Sequence, residues 1–349
     1  VALCLATETD PELERLIAYV QDDVSKKRPR VELLLRLFWE DPVAGQRHFD
    51  SDMRLRALHL VALHEESGQP ATPLLARTVT LDARVARFLL GGEAIDEAIA
   101  PFATLNAAAG ADEPLPIDPR HLQPRVLGLR GTDLAKTRRV AGALAGALGL
   151  GAVLDLNLAL VREVSHREAF ERGAREAAFS KAALLVRGLD ELEPSSRDRV
   201  MPHLSHSVSP LVLVHSEGEP VWHGPSVTIP RPSVEVRVTE WRAALAGRAL
   251  EAGVDDALPA LAAKFELDTG AIAEGAATAL GLATARDPET TRITVEDLYA
   301  AARARSAPIL SALASKVAQH KTWDDLILEP DPLAQLKELC SMVEHRHKV

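Results

Sequence analysis

Aromatic residues are scarce, 4% of the 349 positions, with Phe 7, Trp 4 and Tyr 2. The core therefore has to be built from Leu, Val and Ala. Cysteine is nearly absent, with Cys4 and Cys340 the only two. Two cysteines cannot complete a zinc cluster and make no disulfide framework. They fit a reducing compartment, and a cytoplasmic location is expected. No apolar run reaches about 18 residues, so no membrane-spanning helix is expected. Basic charge is not in excess either: 40 Lys and Arg stand against 50 Asp and Glu, a net charge of -10. That argues against electrostatic coating of nucleic acid and leaves only a local basic patch to consider. No signal-peptide n-region precedes the apolar start at Val1. The starting run, and the end at Val349 just after an amphipathic stretch, read as cuts through a larger protein.

What is present is ordinary globular material, 47% hydrophobic and 26% charged, in a chain long enough for two or three domains. Residues 1–105 form the first region. Leu13, Leu16, Ile17 and Val20 recur at helical spacing after Asp10-Pro11, and Val31, Leu34, Leu35 and Phe38 do so after Pro29. The period then changes to two over residues 58–64, Ser67-Gly68-Gln69-Pro70 interrupts, and residues 74–81 resume with β-branched side chains, as in a hairpin. A short helix over 83–90 ends at Gly91-Gly92. Helix, helix, hairpin is the order of a winged-helix unit.

Residues 106–124 have no apolar period and four prolines, and read as a linker. Residues 125–232 then alternate strand and helix. The expected strands are 126–129, 152–156, 182–186, 211–214 and 227–229, and the expected helices are 138–150, 167–179 and 194–201, the last ended by Pro202. Such alternation gives a mostly parallel sheet covered on both faces. Residues 233–306 are helical. Ser233 caps a helix running to Glu251, although Val234–Val238 alone would equally suit a strand. Further helices are expected over 256–265, 270–282 and 295–305, with Thr294 and Asp297 resembling a capping box. Residues 307–349 remain as a strap.

A parallel sheet whose first strand runs into a glycine and then a helix invites comparison with the phosphate loop G-x-x-x-x-G-K-[ST]. There, backbone amides wrap the phosphates, Lys neutralises them and the hydroxyl holds magnesium. Two registers are open over Gly131–Arg138. One aligns Lys136 and Thr137 with the Lys-Ser/Thr pair, which puts Arg130 and Ala135 at the glycines. The other, preferred because it turns Ala141, Leu144, Ala145 and Leu148 inward, starts at Gly131. It puts Lys136 at the second glycine, Thr137 at the lysine and Arg138 at the hydroxyl. Either way a Cβ stands where backbone must approach phosphate. The acidic pair that holds magnesium and activates water belongs at the end of the 182–186 strand. Arg187 and Gly188 stand there, and Asp190 and Glu191 come three residues late, where carboxylates suit the start of the next helix.

Other signals are weaker. His203-x-x-His206 and His345-x-His347 lack further ligands at useful spacing. The glycines at 142, 146, 149 and 151 sit at a helix end, the wrong context for a dinucleotide turn. Lys26, Lys27, Arg28 and Arg30 suit a solvated or protein-binding face better than a DNA reader. Trp39, Trp222 and Trp241 read as core, whereas Trp323 is a candidate contact with a neighbouring module.

With these residues in view, the chain resembles the N-terminal half of AAA+ ATPases of contractile injection systems, the phage-tail-like particles of bacteria and archaea. The stretches that carry the likeness are AYVQDDVSKKRPRVELLLRLF, PLLARTVTLDARVARFLLGG, VLGLRGTDLAKTRRVAGALAGALG, ITVEDLYAAARARS and TWDDLILEPDPLAQLKELCSMVEHRHKV. The resemblance implies an α/β protein with α-helical parts. A winged-helix-like region comes first, then a degenerate AAA+ sheet sandwiched by helices, then a helical lid, and the strap leads toward a C-terminal AAA+ module beyond Val349. It identifies Gly131, Lys136, Thr137 and Arg138 as a vestigial phosphate loop, and Arg187 and Gly188 as occupants of the acidic-pair positions. The sensor position falls at His215 or Ser216, and no sensor arginine stands near Ala271–Glu274. It implies no catalytic residue and no cofactor in this chain, with ATP and Mg2+ used by the C-terminal module. It also implies protein partners and a hexameric homo-oligomer of the full-length protein; nucleic acid is not the expected partner but stays open through the basic run Lys26–Arg30, and the lack of a long apolar run leaves no membrane partner expected. Two rival readings are kept. In one, this module is itself active, using Lys136, Asp190 and Glu191. In the other, the chain is a winged-helix DNA-binding regulatory ATPase.

Overall fold

Proline and aspartate set the first helices of the chain. In the computed structural model, which describes residues 1–65, 72–109, 113–289, 291–311, 323 and 329–344, α1 spans Ala2–Thr9 and α2 Pro11–Val20. Asp10 caps α2 by accepting the Glu12 N–H at 2.8 Å, and Pro11 supplies a first turn that needs no donor. Next come α3 (Val31–Phe38), α4 (Pro42–Gly45) and α5 (Arg54–Ala57), then β1 (Val61–His64), antiparallel to β2 (Thr78–Leu81), and α6 (Ala83–Leu89). The strand β1 is shorter than the alternating stretch from Leu58 predicts, because His59 turns the chain at φ 49°. Cys4, Val31, Leu35, Phe49, Val79 and Val85 close this region's own core. The Ser67–Pro70 turn lies outside the described residues.

The main sheet has six strands in the order β3-β5-β6-β7-β4-β8. These are β3 (Ala103–Ala107), β4 (Val126–Arg130), β5 (Ala152–Asn157), β6 (Ala182–Arg187), β7 (Val212–Ser216) and β8 (Ser226–Thr228). Strand β3 is antiparallel to β5 and every other pairing is parallel. The central strands are buried on both faces and read as continuous apolar runs, as parallel strands do. Residues 106 and 107, expected in the linker, close the edge of this sheet through β3. A short polar strand carries no period that separates it from a loop.

Three helices connect the strands: α7 (Leu134–Ala147), α8 (His166–Phe179) and α9 (Pro194–Leu204). Helix α7 begins four residues earlier than expected, because Asp133 caps it. Helix α9 carries Pro202 inside it and continues to Leu204. The helical region comprises α10 (Val234–Leu245), α11 (Val254–Lys264), α12 (Thr269–Arg286) and α13 (Val295–Ser311). Ser233 accepts the Val236 N–H, so Val234–Val238 is helix and not strand. Helix α10 stops at Leu245, short of Glu251, as Gly247 takes φ 75°. Thr294 and Asp297 form a reciprocal capping box. Trp241, fully buried, is the largest side chain of that region's core. Helix α14 (Pro330–Glu344) lies in the strap.

The chain divides into two compact units: residues 1–130 with 138–228, and residues 131–137 with 229–349. Within the first unit the winged region is joined to α8 by buried charge. Arg172 reaches Asp82 at 3.2 Å and Asp96 at 2.9 Å, and Arg175 pairs with the same two carboxylates. Glu171 takes His59 at 3.2 Å and Arg167 at 2.8 Å.

Candidate functional site

In an open parallel sheet, ligands bind beyond the carboxyl ends of the strands, where the strand order reverses. Here the chain moves outward from β4 to β5 on one side and returns to β8 on the other, so β4 is the reversal point. The strand ends that matter are Arg130, Asn157, Arg187 and Ser216. Arg130 pairs in register with Ser216, and Asn157 with Arg187.

Asp155 dominates this edge. Its side chain is 2% exposed and receives two guanidinium groups. Arg138 on α7 donates from Nε to Oδ2 at 2.8 Å, and Arg187 at the end of β6 donates from Nε to Oδ1 at 2.6 Å. The geometry follows from the pleat. Residues 155 and 157 share a face, and residue 187 lies opposite 157 in the parallel ladder. The two sequence-derived positions Arg138 and Arg187 are thus brought together on one carboxylate that the sequence reading did not single out. Its signal was a lone Asp inside the apolar strand AVLDLN, where an unpaired charge is too costly to leave buried.

Gly188 follows with φ 73°. A Cβ on it would lie 2.7 Å from both Cβ and N of Ala159 and 2.8 Å from Oδ1 of Asn157. Glycine is required there by close backbone approach as well as by conformation. Asp190 and Glu191 lie apart from this cluster. Asp190 accepts the Glu217 N–H at 2.9 Å. Both line an open cleft of about 720 Å³ with Arg197, Asp198 and His223. His215 and Ser216, the sensor candidates, are buried at the end of β7.

The loop between β4 and α7 has only three residues, Gly131, Thr132 and Asp133. Gly131 is pressed against Ile229, whose carbonyl oxygen would lie 2.7 Å from an added Cβ. Asp133 is 1% exposed and accepts the Lys136 N–H at 2.9 Å. Thr137 is buried, and its hydroxyl donates to the Asp133 carbonyl at 2.8 Å. Asp133, like Asp155, was missed, although an Asp three residues before Lys136 is a helix-cap signal. In α12, Ala271 to Glu274 fill the first turns, and Glu274 pairs with Arg305 at 2.7 Å.

Arg28 of the basic run pairs with Glu8 at 3.6 Å and Glu14 at 3.8 Å. His203 faces Glu171 at 3.6 Å, and His206 bonds the Pro202 carbonyl at 3.0 Å. His345 and His347 lie outside the described residues. Lys337 sits over the Trp323 ring at 5.8 Å. Among the described residues no helix is long and apolar enough to cross a membrane.

A winged-helix region followed by a mixed sheet flanked by helices is an AAA+-like arrangement. Residues 1–103 match the family described as "Winged helix domain, variant", and residues 233–308 match "Contractile injection system ATPase helical domain". Among solved structures, PCH-2 of C. elegans is similar at 14% identity with a TM-score of 0.39. That match covers 56% of this chain and 66% of the other, just under two thirds of its length. No curated protein matches.

Proposed function

We propose that this chain is the non-hydrolysing scaffold and regulatory half of an AAA+ ATPase that assembles or remodels protein complexes. ATP and Mg2+ are used by a C-terminal module outside this sequence. The observation that carries the reading is the Arg138–Asp155–Arg187 ion cluster. A magnesium site needs anionic and hydroxyl ligands, and guanidinium groups can supply neither. The Asp133 carboxylate, held on the first turn of α7, places negative charge where a phosphate needs donors. Gly188 cannot give way to a water-activating glutamate without moving Ala159. The Arg138–Asp155–Arg187 cluster by itself does not fit a magnesium ion, because both carboxylate oxygens are taken by guanidinium groups.

The chain's own residues then do structural work. The winged-helix domain recruits a protein partner. The sheet and the helical domain supply contacts to neighbouring copies in a cytoplasmic homo-hexameric ring of the full-length protein. Calorimetric titration of the chain with ATP and ADP in the presence of magnesium tests the reading, and no binding at millimolar nucleotide is the expected result. Saturable binding that Lys136→Ala abolishes would favour the rival reading in which this module is itself active.

A further inference from the structure

We propose that the winged-helix domain holds a docking pocket for an acidic-apolar segment of a protein partner, which inserts a bulky apolar side chain and sets a carboxylate against Arg54. This rests on the reading of that domain as the part that recruits a protein, and adds the site and the chemistry of the partner.

Beside the core of the winged region lies a cavity of about 430 Å³, open to solvent, where Ala2 on α1 and Val61 and Val79 on the hairpin are too short to fill the space. Its volume falls in the range of ligand pockets, about 300–1,000 Å³. Trp39 in its wall lies 5.3 Å from the His48 ring and 6.1 Å from Phe49, and Phe38 stands edge-on to it at 6.5 Å. In a chain with only 7 Phe, 4 Trp and 2 Tyr, three aromatics gather at this one opening. Phe38 is 63% exposed, and Leu37 and Val43, on either side of Trp39 in the chain, are exposed as well. Aromatic side chains around a pocket are what protein interfaces anchor on. Apolar surface that continues past the pocket asks for a larger cover than a small molecule, which favours a polypeptide.

Charge selects among polypeptides. No carboxylate lines the cavity, and its basic side chains are Arg54 and His48. Arg54 is exposed, and among the described residues its guanidinium has no ion pair or side-chain hydrogen bond. Its neighbours are used: Arg36 pairs with Glu32 at 2.6 Å, and Arg56 donates to the Phe49 carbonyl at 3.2 Å. Asp50 and Asp52 are close in the chain, but neither lines the cavity nor pairs with Arg54. A free guanidinium fork beside an apolar pocket matches a carboxylate next to an apolar side chain. A Lys or Arg in that place would meet like charge.

Short random peptides displayed on phage are selected on the full chain, and the enriched peptides are synthesised and titrated by calorimetry. The expected binders carry Phe, Trp or Leu next to Asp or Glu and bind one per chain. Arg54→Glu and Phe38→Ala alter exposed side chains and keep the fold, and each should weaken binding at least tenfold. Selection on Arg54→Glu should turn the preference to Lys or Arg beside the apolar residue. Binders insensitive to both substitutions overturn the pocket and leave the recruiting role standing. A library that yields no enriched peptide overturns the pocket and counts against the recruiting role too. Self-association of the wild-type chain that Phe38→Ala abolishes would make a second copy the occupant, which also overturns it. ATP turnover by the chain would remove the non-hydrolysing reading and leave the peptide result unchanged.

Discussion

Arg84 on α6 and Glu176 on α8 form a two-pronged ion pair inside the protein, Nε to Oε2 at 2.9 Å and Nη2 to Oε1 at 2.6 Å, with side chains 2% and 0% exposed. The same guanidinium donates to the Gly92 carbonyl at 3.1 Å. It also lies beside the stacked rings of Phe88 and Phe179, 4.1 Å apart. One residue of the winged-helix domain is thus locked to one residue of the sheet domain by fixed hydrogen-bond geometry, which argues for a rigid joint within that unit.

Breaking this pair from one side should be costly. Arg84→Ala or Glu176→Ala leaves an uncompensated buried charge and is expected to lower unfolding stability by about 3–5 kcal/mol. The double replacement Arg84→Met with Glu176→Leu should recover most of that loss. Urea unfolding of the three variants checks it; additive losses in the double variant would contradict it.

Asp96 sets an acid limit. Burial raises its pKa, but the Ala98 N–H and the guanidinium groups of Arg172 and Arg175 outweigh that and hold it below the ordinary 3.8. A carboxyl depressed in the folded state contributes stability that is complete above its unfolded value and lost as pH falls through the folded one. Asp96→Asn should therefore flatten the fall in stability below about pH 4 and leave the slope between about pH 6 and 8 unchanged. Unfolding midpoints measured across both ranges decide it.

Gly188 should resist repair. Gly188→Ala is expected to cost at least about 1–3 kcal/mol, from the positive φ and the collision with Ala159. Gly188→Glu should cost more and create no ATP turnover. A stable Gly188→Glu protein that hydrolyses ATP would refute this account of the site.

Removing Asp155 should expose the cost of its two arginines. Arg187 is 19% exposed and Arg138 about half exposed, so solvent tempers the penalty, and Asp155→Ala is expected to cost about 2–3 kcal/mol. Arg187→Met in that background should restore part of it. A melting series on the single and double variants is the check.

Trp241 should dominate the helical domain. Trp241→Ala is expected to cost about 3–5 kcal/mol. A Cβ on Gly275 would lie 3.0 Å from the Trp241 ring, so Gly275→Val should also destabilise while Trp241→Phe is milder. Chemical denaturation of the three variants ranks them.

The sequence placed most helices and the buried strands, because apolar period and caps are local signals. It marked Arg138, Arg187 and Gly188 as departures from a nucleotide site, since residue type at a motif position can be read without coordinates. It missed β3, whose pairing with β5 is long-range. It missed Asp133 and Asp155, because a motif comparison looks for expected groups and not for the carboxylates that take their place. The start of α7 shifted for the same reason: the cap that sets it belongs to a loop read as a damaged phosphate motif.

By itself the sequence determined the order of regions, the apolar core and the loss of the motif residues, all properties of spacing and residue chemistry along the chain. Tertiary structure alone decided the rest. It brought Arg138 and Arg187 to one buried carboxylate, set Asp133 on the first turns of two helices, and paired Arg84 with Glu176. Each of these joins residues far apart in the chain. Their partners are fixed only when folding removes water and leaves each buried charge the few opposite charges and donors that packing brings within reach.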